Sequence, residues 1–331
     1  MKTIDCHGHY FPSKLMEAFK ATPFAKSTSF LWCDPAFSDL DEHIKTMDRV
    51  GVDVEVLVPS ALLLESIQAA GVSLEEGMRI VDDSYAEAVK SHPGRFVGTV
   101  AIDPFAGKAA LQEIERGVTK LGLKAVSMNT SYDGLYIDDE QFWPIYRLAQ
   151  ELHVPVMAHP VAMTRFWKET QRAETSVLRP EISMLMDTTI CVGRFVRYAI
   201  YDKFPEVDFL FCQLGGMIPF IFGRFDCTQT LFKTYKWEDV AHEAIVNPPK
   251  TLSDYKGRIL GDCHSMNRIS IECAAETIGV DAMVFGGDYP ISPWFGSMAW
   301  SVDEINNTRL STEDKKKIFG GNAARILNLD G

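Results

Sequence analysis

Thr3-Ile4-Asp5-Cys6-His7-Gly8-His9 stands at the start of the chain. A short apolar run ends there on two histidines one residue apart. Side chains of an extended strand alternate with period two, so both imidazoles project to the same side and can bind one ion. Working outward, seven further short apolar runs follow, at 54–58, 96–101, 125–128, 154–158, 208–211, 258–261 and 283–285. Between them lie amphipathic stretches at 39–50, 74–90, 109–121 and 141–152, with Ile44, Met47 and Val50 on one helical face. Runs alternating with helical segments are the pattern of βα units around a parallel sheet. Eight of them predict a closed (β/α)8 TIM barrel, with the first run, 3–6, as its first strand.

Local punctuation supports this division. Gly51, Gly122 and Gly279 each follow a helical run and precede a strand, where a left-handed residue ends a helix. Asp39 and Asp139 stand at helix N-caps. The stretches 21–38 and 228–253 exceed ordinary connections and are read as insertions or subunit-contact arms on a single domain spanning 1–331.

The 331 residues are 46% hydrophobic and 24% charged, which is ordinary globular composition. A net charge of −12 without a basic block argues against a nucleic-acid surface, so a small-molecule partner is expected. No apolar run reaches the ~18 residues of a membrane span, and Asp5 stands where a signal peptide would be apolar. A cytoplasmic protein is therefore expected. Its seven cysteines form no CxxC pair and are read as reduced packing thiols.

In a parallel barrel the reacting groups stand at the C-terminal ends of the strands. The predicted strands run into His7-Gly8-His9, His159-Pro160, Gln213-Leu214-Gly215-Gly216, Asp262-Cys263-His264 and Gly287-Asp288-Tyr289-Pro290. His7, His9, His159 and Asp288 offer three nitrogens and a carboxylate, a set suited to one divalent ion that keeps a position open. His43, His92, His153 and His242 fall on helical faces or connections and read as packing or solvated residues. Gly215-Gly216 lacks the Lys and the spacing of a P-loop and reads as a close backbone approach. Trp294, Phe295 and Trp300 stand where they could wall an aromatic substrate.

The motifs Ile4–Pro12, Met47–Asp53, His92–Gly98, Pro155–Pro160, Leu214–Phe220 with Arg224, Phe285–Pro290 and Gly321–Leu327 run in order along nearly the whole chain. In these the chain resembles the amidohydrolase-related, metal-dependent decarboxylases, the family of aminocarboxymuconate semialdehyde decarboxylase. The resemblance implies a distorted barrel holding one divalent metal, Zn²⁺ or in some members Mn²⁺, through His7, His9, His159 and Asp288, with no organic cofactor. It implies loss of CO₂ from an aromatic or unsaturated carboxylic acid, with metal-dependent hydrolases and hydratases as relatives. It also implies a homodimer or higher homo-oligomer in which Arg224 can reach the neighbouring subunit's substrate. Two departures stand out: the family commonly has His where this chain has Gln213, and 21–38 contains no Arg. Gln cannot titrate near neutral pH and can only orient by hydrogen bonds.

The expected reaction is metal-dependent, non-oxidative decarboxylation, with a hydrolase or hydratase as the alternative. Asp288 and His264 are the expected proton-handling residues, with Gln213 orienting substrate or water. Arg224, Asn129, Trp294 and Tyr289 are the expected substrate contacts.

Overall fold

The computed structural model describes the chain except residues 23–24, 27–33, 60–62, 162–170, 173–174, 177–181, 236–249, 265, 292–296 and 330–331. Eight parallel strand positions occur in chain order: β1 (Ile4–Gly8), β2 (Val54–Leu57), β3 (Phe96–Gly98, continued after Thr99 by Val100–Ala101), β4 (Val126–Asn129), β5 (Val156–His159), β6 (Phe209–Phe211), β7 (Leu260–Asp262) and β8 (Met283–Val284). Their residues are buried almost throughout, as in a parallel sheet covered on both faces.

Register links each strand to the next. Ile4 pairs with Val54, Val56 with Val97, Val100 with Val126, Val126 with Val156, Phe209 with Val156, Leu210 with Leu260, and Gly261 with Met283. The step at Thr99 lets β3 serve β2 with its first half and β4 with its second. Backbone hydrogen bonds then join β8 and the turn after it to β1: Cys6 N–H to Phe285 O (2.9 Å), Asp288 N–H to His7 O (2.6 Å) and His9 N–H to Tyr289 O (2.7 Å). The ladder closes at the end that carries the candidate site.

Helices cover the outside. Leu40–Val50 starts on Asp39, whose carboxylate accepts from the N–H groups of Asp41 and Glu42, and it ends at Gly51 with φ of +79°. Asp139 caps a short 3₁₀ turn, Glu140–Phe142, that leads into the helix Trp143–Glu151. Near the C-terminus the buried Asn322 donates to the carbonyls of Val280 and Met283 and fastens the start of β8.

The second expected insertion, 228–253, begins within a helix. Residue 228 lies inside the helix Ile218–Tyr235, so the chain remains helical well past that boundary, and 236–249 lie outside the described residues. Of the first, 21–38, its last residues form a 3₁₀ turn, Pro35–Ser38, capped by Asp34. His43 is fully buried, bridging Glu55 Oε2 (2.6 Å) and Ala36 O (2.9 Å), so its role is packing and pairing. Cys6, Cys191, Cys212 and Cys263 are buried free thiols, whereas Cys227 is exposed.

Candidate metal centre

β1 carries His7 in its last turn of pleat, with His9 just beyond, and their ring centroids are 4.9 Å apart. β5 ends on His159, whose ring lies 5.1 Å from each of them. Asp288 follows β8 with φ of +55°, a conformation that a non-glycine residue adopts only where its surroundings hold it. Its N–H bond to His7 O is one such constraint. One ligand atom from each of His7, His9, His159 and Asp288 falls within 4.8 Å of all the others.

The hydrogen bonds set which nitrogen of each ring faces inward. Nδ1 of His7 lies 3.1 Å from Asp262 Oδ2, Nδ1 of His9 2.8 Å from Val58 O, and Nδ1 of His159 2.7 Å from Pro160 O. All three partners are acceptors, so each Nδ1 carries a proton and each Nε2 presents a lone pair. His7 Nε2 and His9 Nε2 stand 3.4 and 2.9 Å from Asp288 Oδ1. His9 Nε2 and Asp288 Oδ1 are both buried without a hydrogen-bond partner. In neutral His9 that lone pair faces the carboxylate oxygen at 2.9 Å and repels it, and a shared cation removes the conflict. The donor set therefore fits a divalent ion, with outer acceptors fixing the ligand tautomers.

The charges agree. Burial pushes the Asp288 carboxyl up, but the imidazoles of His264 and His7 outweigh it and hold it well below the usual carboxylate range. Burial, then the neighbouring His7 and His9, pulls His159 down to about 3, so it stays a neutral donor at physiological pH. Burial also lowers His7, yet Cys212, Asp262 and Asp288 reverse the balance and raise it; that surrounding attracts positive charge.

His264 comes to the same place. Its Nε2 lies 3.0 Å from Asp288 Oδ2, on the side of the carboxylate away from His9. Gln213 arrives through an unusual turn: residues 213 to 216 have φ of +58°, +56°, +73° and +72°, two of them without the freedom of glycine. The turn is held by Gln213 N–H to Asp262 Oδ1 (3.0 Å) and Met217 N–H to Thr189 Oγ1 (2.8 Å). It also needs Gly261, where a Cβ would sit 2.6 Å from Leu214 Cα. Gln213 Oε1 is left buried and unpartnered.

The expected substrate contacts divide. Asn129 ends β4 and lines a small cleft of about 30 Å³ with Pro59, Leu63, Met78, Met128 and Tyr132. Tyr289 turns away: its hydroxyl meets Thr46 Oγ1 at 3.1 Å and its ring packs on His43 at 5.1 Å. Arg224 lies on the helix Ile218–Tyr235 beside Arg197 and Phe225, in an open cleft that none of the four candidate ligands lines. Trp294 and Phe295 lie outside the described residues, and Trp300 is half exposed. Asp262, which serves His7, Gln213 and His264 together, was not among the expected site residues; the readable signal was an acidic residue closing an otherwise apolar strand run.

These features define a (β/α)8 barrel with a candidate divalent-metal centre at its C-terminal face. The chain belongs to the amidohydrolase family, whose model matches residues 4–329. It is 26% identical over 298 residues to gamma-resorcylate decarboxylase of Polaromonas sp. (strain JS666), covering 88% of this chain and 87% of that one. It is 24% identical over 301 residues to 2-amino-3-carboxymuconate-6-semialdehyde decarboxylase of Dictyostelium discoideum, covering 88% and 77%. Among solved structures, dihydroxybenzoic acid decarboxylase from Polaromonas sp. JS666, with bound manganese and the inhibitor 2-nitroresorcinol, aligns at a TM-score of 0.78 and 23% identity over 100% of this chain and 98% of that one.

Proposed function

We propose that the protein is a divalent-metal-dependent, non-oxidative decarboxylase of a hydroxy- or amino-substituted aromatic or unsaturated carboxylic acid. The observation that carries this reading is the convergence of His7, His9, His159 and Asp288, one ligand atom from each within 4.8 Å of the others, with His264 bonded to Asp288 Oδ2. When bound, the ion supplies Lewis acidity toward the substrate's carboxylate and an adjoining oxygen. Zn²⁺ is the ion this nitrogen-rich set favours, and Mn²⁺ is the alternative given its presence in the Polaromonas structure.

His264 is placed to hold the proton that the carbon bearing the carboxylate receives, and Asp288 keeps that imidazole aimed. The bond to the carboxylate then breaks, CO₂ leaves, and the electron pair restores conjugation. One proton replaces one CO₂, and no oxidant is consumed. Gln213 orients the substrate or a water through its unpartnered Oε1. Asn129, at the end of β4, is read as a substrate contact.

The same carboxamide favours a second reading, a hydrolase or hydratase in which Gln213 orients water. Incubating metal-loaded protein with hydroxybenzoates, aminobenzoates and muconate-type acids, while following ultraviolet spectra and CO₂, separates the two. Turnover with stoichiometric CO₂ supports decarboxylation, and a product retaining every carbon refutes it.

We read the chain also as a cytoplasmic homodimer or higher homo-oligomer. Buried free thiols fit a reducing compartment, and the helix Ile218–Tyr235 carries exposed Phe220 and Leu231 beside Arg224. Analytical ultracentrifugation showing only monomer would refute the oligomer.

A further inference from the structure

Asp262 closes β7 and is 1% exposed, so its carboxylate depends on the protein for its hydrogen bonds. Oδ2 takes the Nδ1 proton of His7 at 3.1 Å. Oδ1 accepts the backbone N–H groups of Gln213 and His264, each at 3.0 Å. Those three partners are one ligand of the candidate metal centre and the two residues assigned to orientation and proton handling. They come from β1, the turn after β6 and the turn after β7.

We propose that Asp262 is the positioning residue of the centre: it fixes His7 as the Nδ1–H tautomer, so that Nε2 faces the ion, and it sets where the backbones of Gln213 and His264 stand. The inference rests on the metal-centre reading above. A carboxylate suits this place because both of its oxygens only accept, and three donors point at them. The fold keeps room for it, since a Cβ on Gly286 would sit 2.9 Å from Asp262 Cβ and Cγ. The Gln213 bond also matters for backbone conformation. A residue at φ of +58° persists only where its surroundings over-determine it, and a charge-assisted bond from its N–H is one of those constraints.

Asp262→Asn separates the two duties. Asparagine keeps one oxygen, which can still accept from Gln213 and His264. Its amide NH₂ then faces His7 Nδ1, which must become the acceptor and carry its proton on Nε2, where it blocks ligation. Zinc affinity, read by competition against a chromophoric chelator, is expected to weaken by about 10- to 100-fold, the usual effect of losing a ligand's outer partner. Nitrogen-15 spectra of the ring-labelled, metal-free protein, taken at a pH where His7 is neutral, are expected to show the wild-type proton on Nδ1 and the variant proton on Nε2.

Zinc affinity within twofold of wild type, with His7 still the Nδ1–H tautomer, overturns the proposal. Should the variant not fold, the wild-type spectrum decides alone: a proton on Nδ1 supports it and a proton on Nε2 overturns it. Wild-type protein that takes up no divalent ion refutes the metal reading and this inference with it. Zinc-binding wild type beside an indifferent Asp262→Asn refutes the role of Asp262 alone.

Discussion

Removing His159 tests whether the four converging side chains act as one binding site. The ring is buried, its Nδ1–H is tethered to Pro160 O at 2.7 Å, and its Nε2 is one of three inward nitrogens. Losing an outer partner of a metal ligand costs about 10- to 100-fold in affinity, so losing the ligand itself is set here at ~100-fold or more. At an ion concentration 100 times the wild-type Kd, binding stabilises the folded protein by about 2.7 kcal/mol, and a 100-fold weaker site yields only about 0.4 kcal/mol. Unfolding entropy of ~2.1 cal/mol/K per residue over 331 residues is about 0.7 kcal/mol/K. Zinc is thus expected to raise the wild-type Tm by ~4 °C and that of His159→Ala by less than ~1 °C. Differential scanning calorimetry on metal-stripped protein, with and without zinc, makes the comparison within each variant, so the cavity left by the missing ring cancels. Equal zinc-dependent rises in the two proteins would refute the assignment of His159 as a ligand.

Other perturbations separate the remaining roles. His264→Asn is expected to lower kcat by ~100-fold with metal content unchanged, since general acid–base groups typically contribute that much; near wild-type turnover would move the proton source elsewhere. Gln213→Ala should lower kcat/KM, and Gln213→His should add a titrating limb to the pH–rate profile; full kcat/KM in the alanine variant leaves Gln213 a packing role only. Gly261→Ala forces a Cβ to within 2.6 Å of Leu214 Cα. Such overpacking costs about 1–3 kcal/mol and should also displace Gln213, so an unchanged Tm together with unchanged kcat/KM counts against the tight turn. Asp82 is fully buried on the helix Leu74–Ser91, with Oδ1 accepting Ala101 N–H, and burial, together with the Glu113 carboxyl beside it, raises its carboxyl well above the usual range. A folded-state pKa above the unfolded value of about 3.9 means that stability falls as pH rises past that value. Asp82→Asn keeps the acceptor for Ala101 and loses this dependence, so its advantage over wild type in urea unfolding should be absent near pH 4 and grow toward pH 7; parallel curves would refute it.

Much of the architecture is legible because each strand is buried on both faces and so reads as a short apolar run, closed by Gly51, Gly122 or Gly279 at a preceding helix end. Strand ends moved by one or two residues because partners set them: Asn129 pairs with His159, which extends β5 through the histidine itself. The four candidate ligands are visible because strand ends are where a parallel barrel presents its chemistry. Tyr289 is not, since the residue after Asp288 leaves the turn on its other side and meets Thr46 and His43 on the helix Leu40–Val50. The left-handed turn at 213–216 is invisible too, because Gly261, which permits it, is 45 or more positions away in the chain.

Asp5, Glu55 and Asp262 show what a further step of sequence reasoning could reach. Each is an acid within a run otherwise made for a buried strand, where an unpaired charge is too costly to keep. Each is fully or almost fully buried and takes a donor from the site or its support. Asp5 Oδ1 accepts from the N–H groups of His7 and Gly287, which bracket the junction of β1 and β8. Glu55 holds His43, the ring against which Tyr289 packs. Asp262 holds His7 across 255 positions of sequence. No local pattern names such partners, because barrel closure brings them together. The need for a partner is nonetheless readable from the acid's place in an apolar strand, and in this barrel two of the three acids, Asp5 and Asp262, meet it at His7.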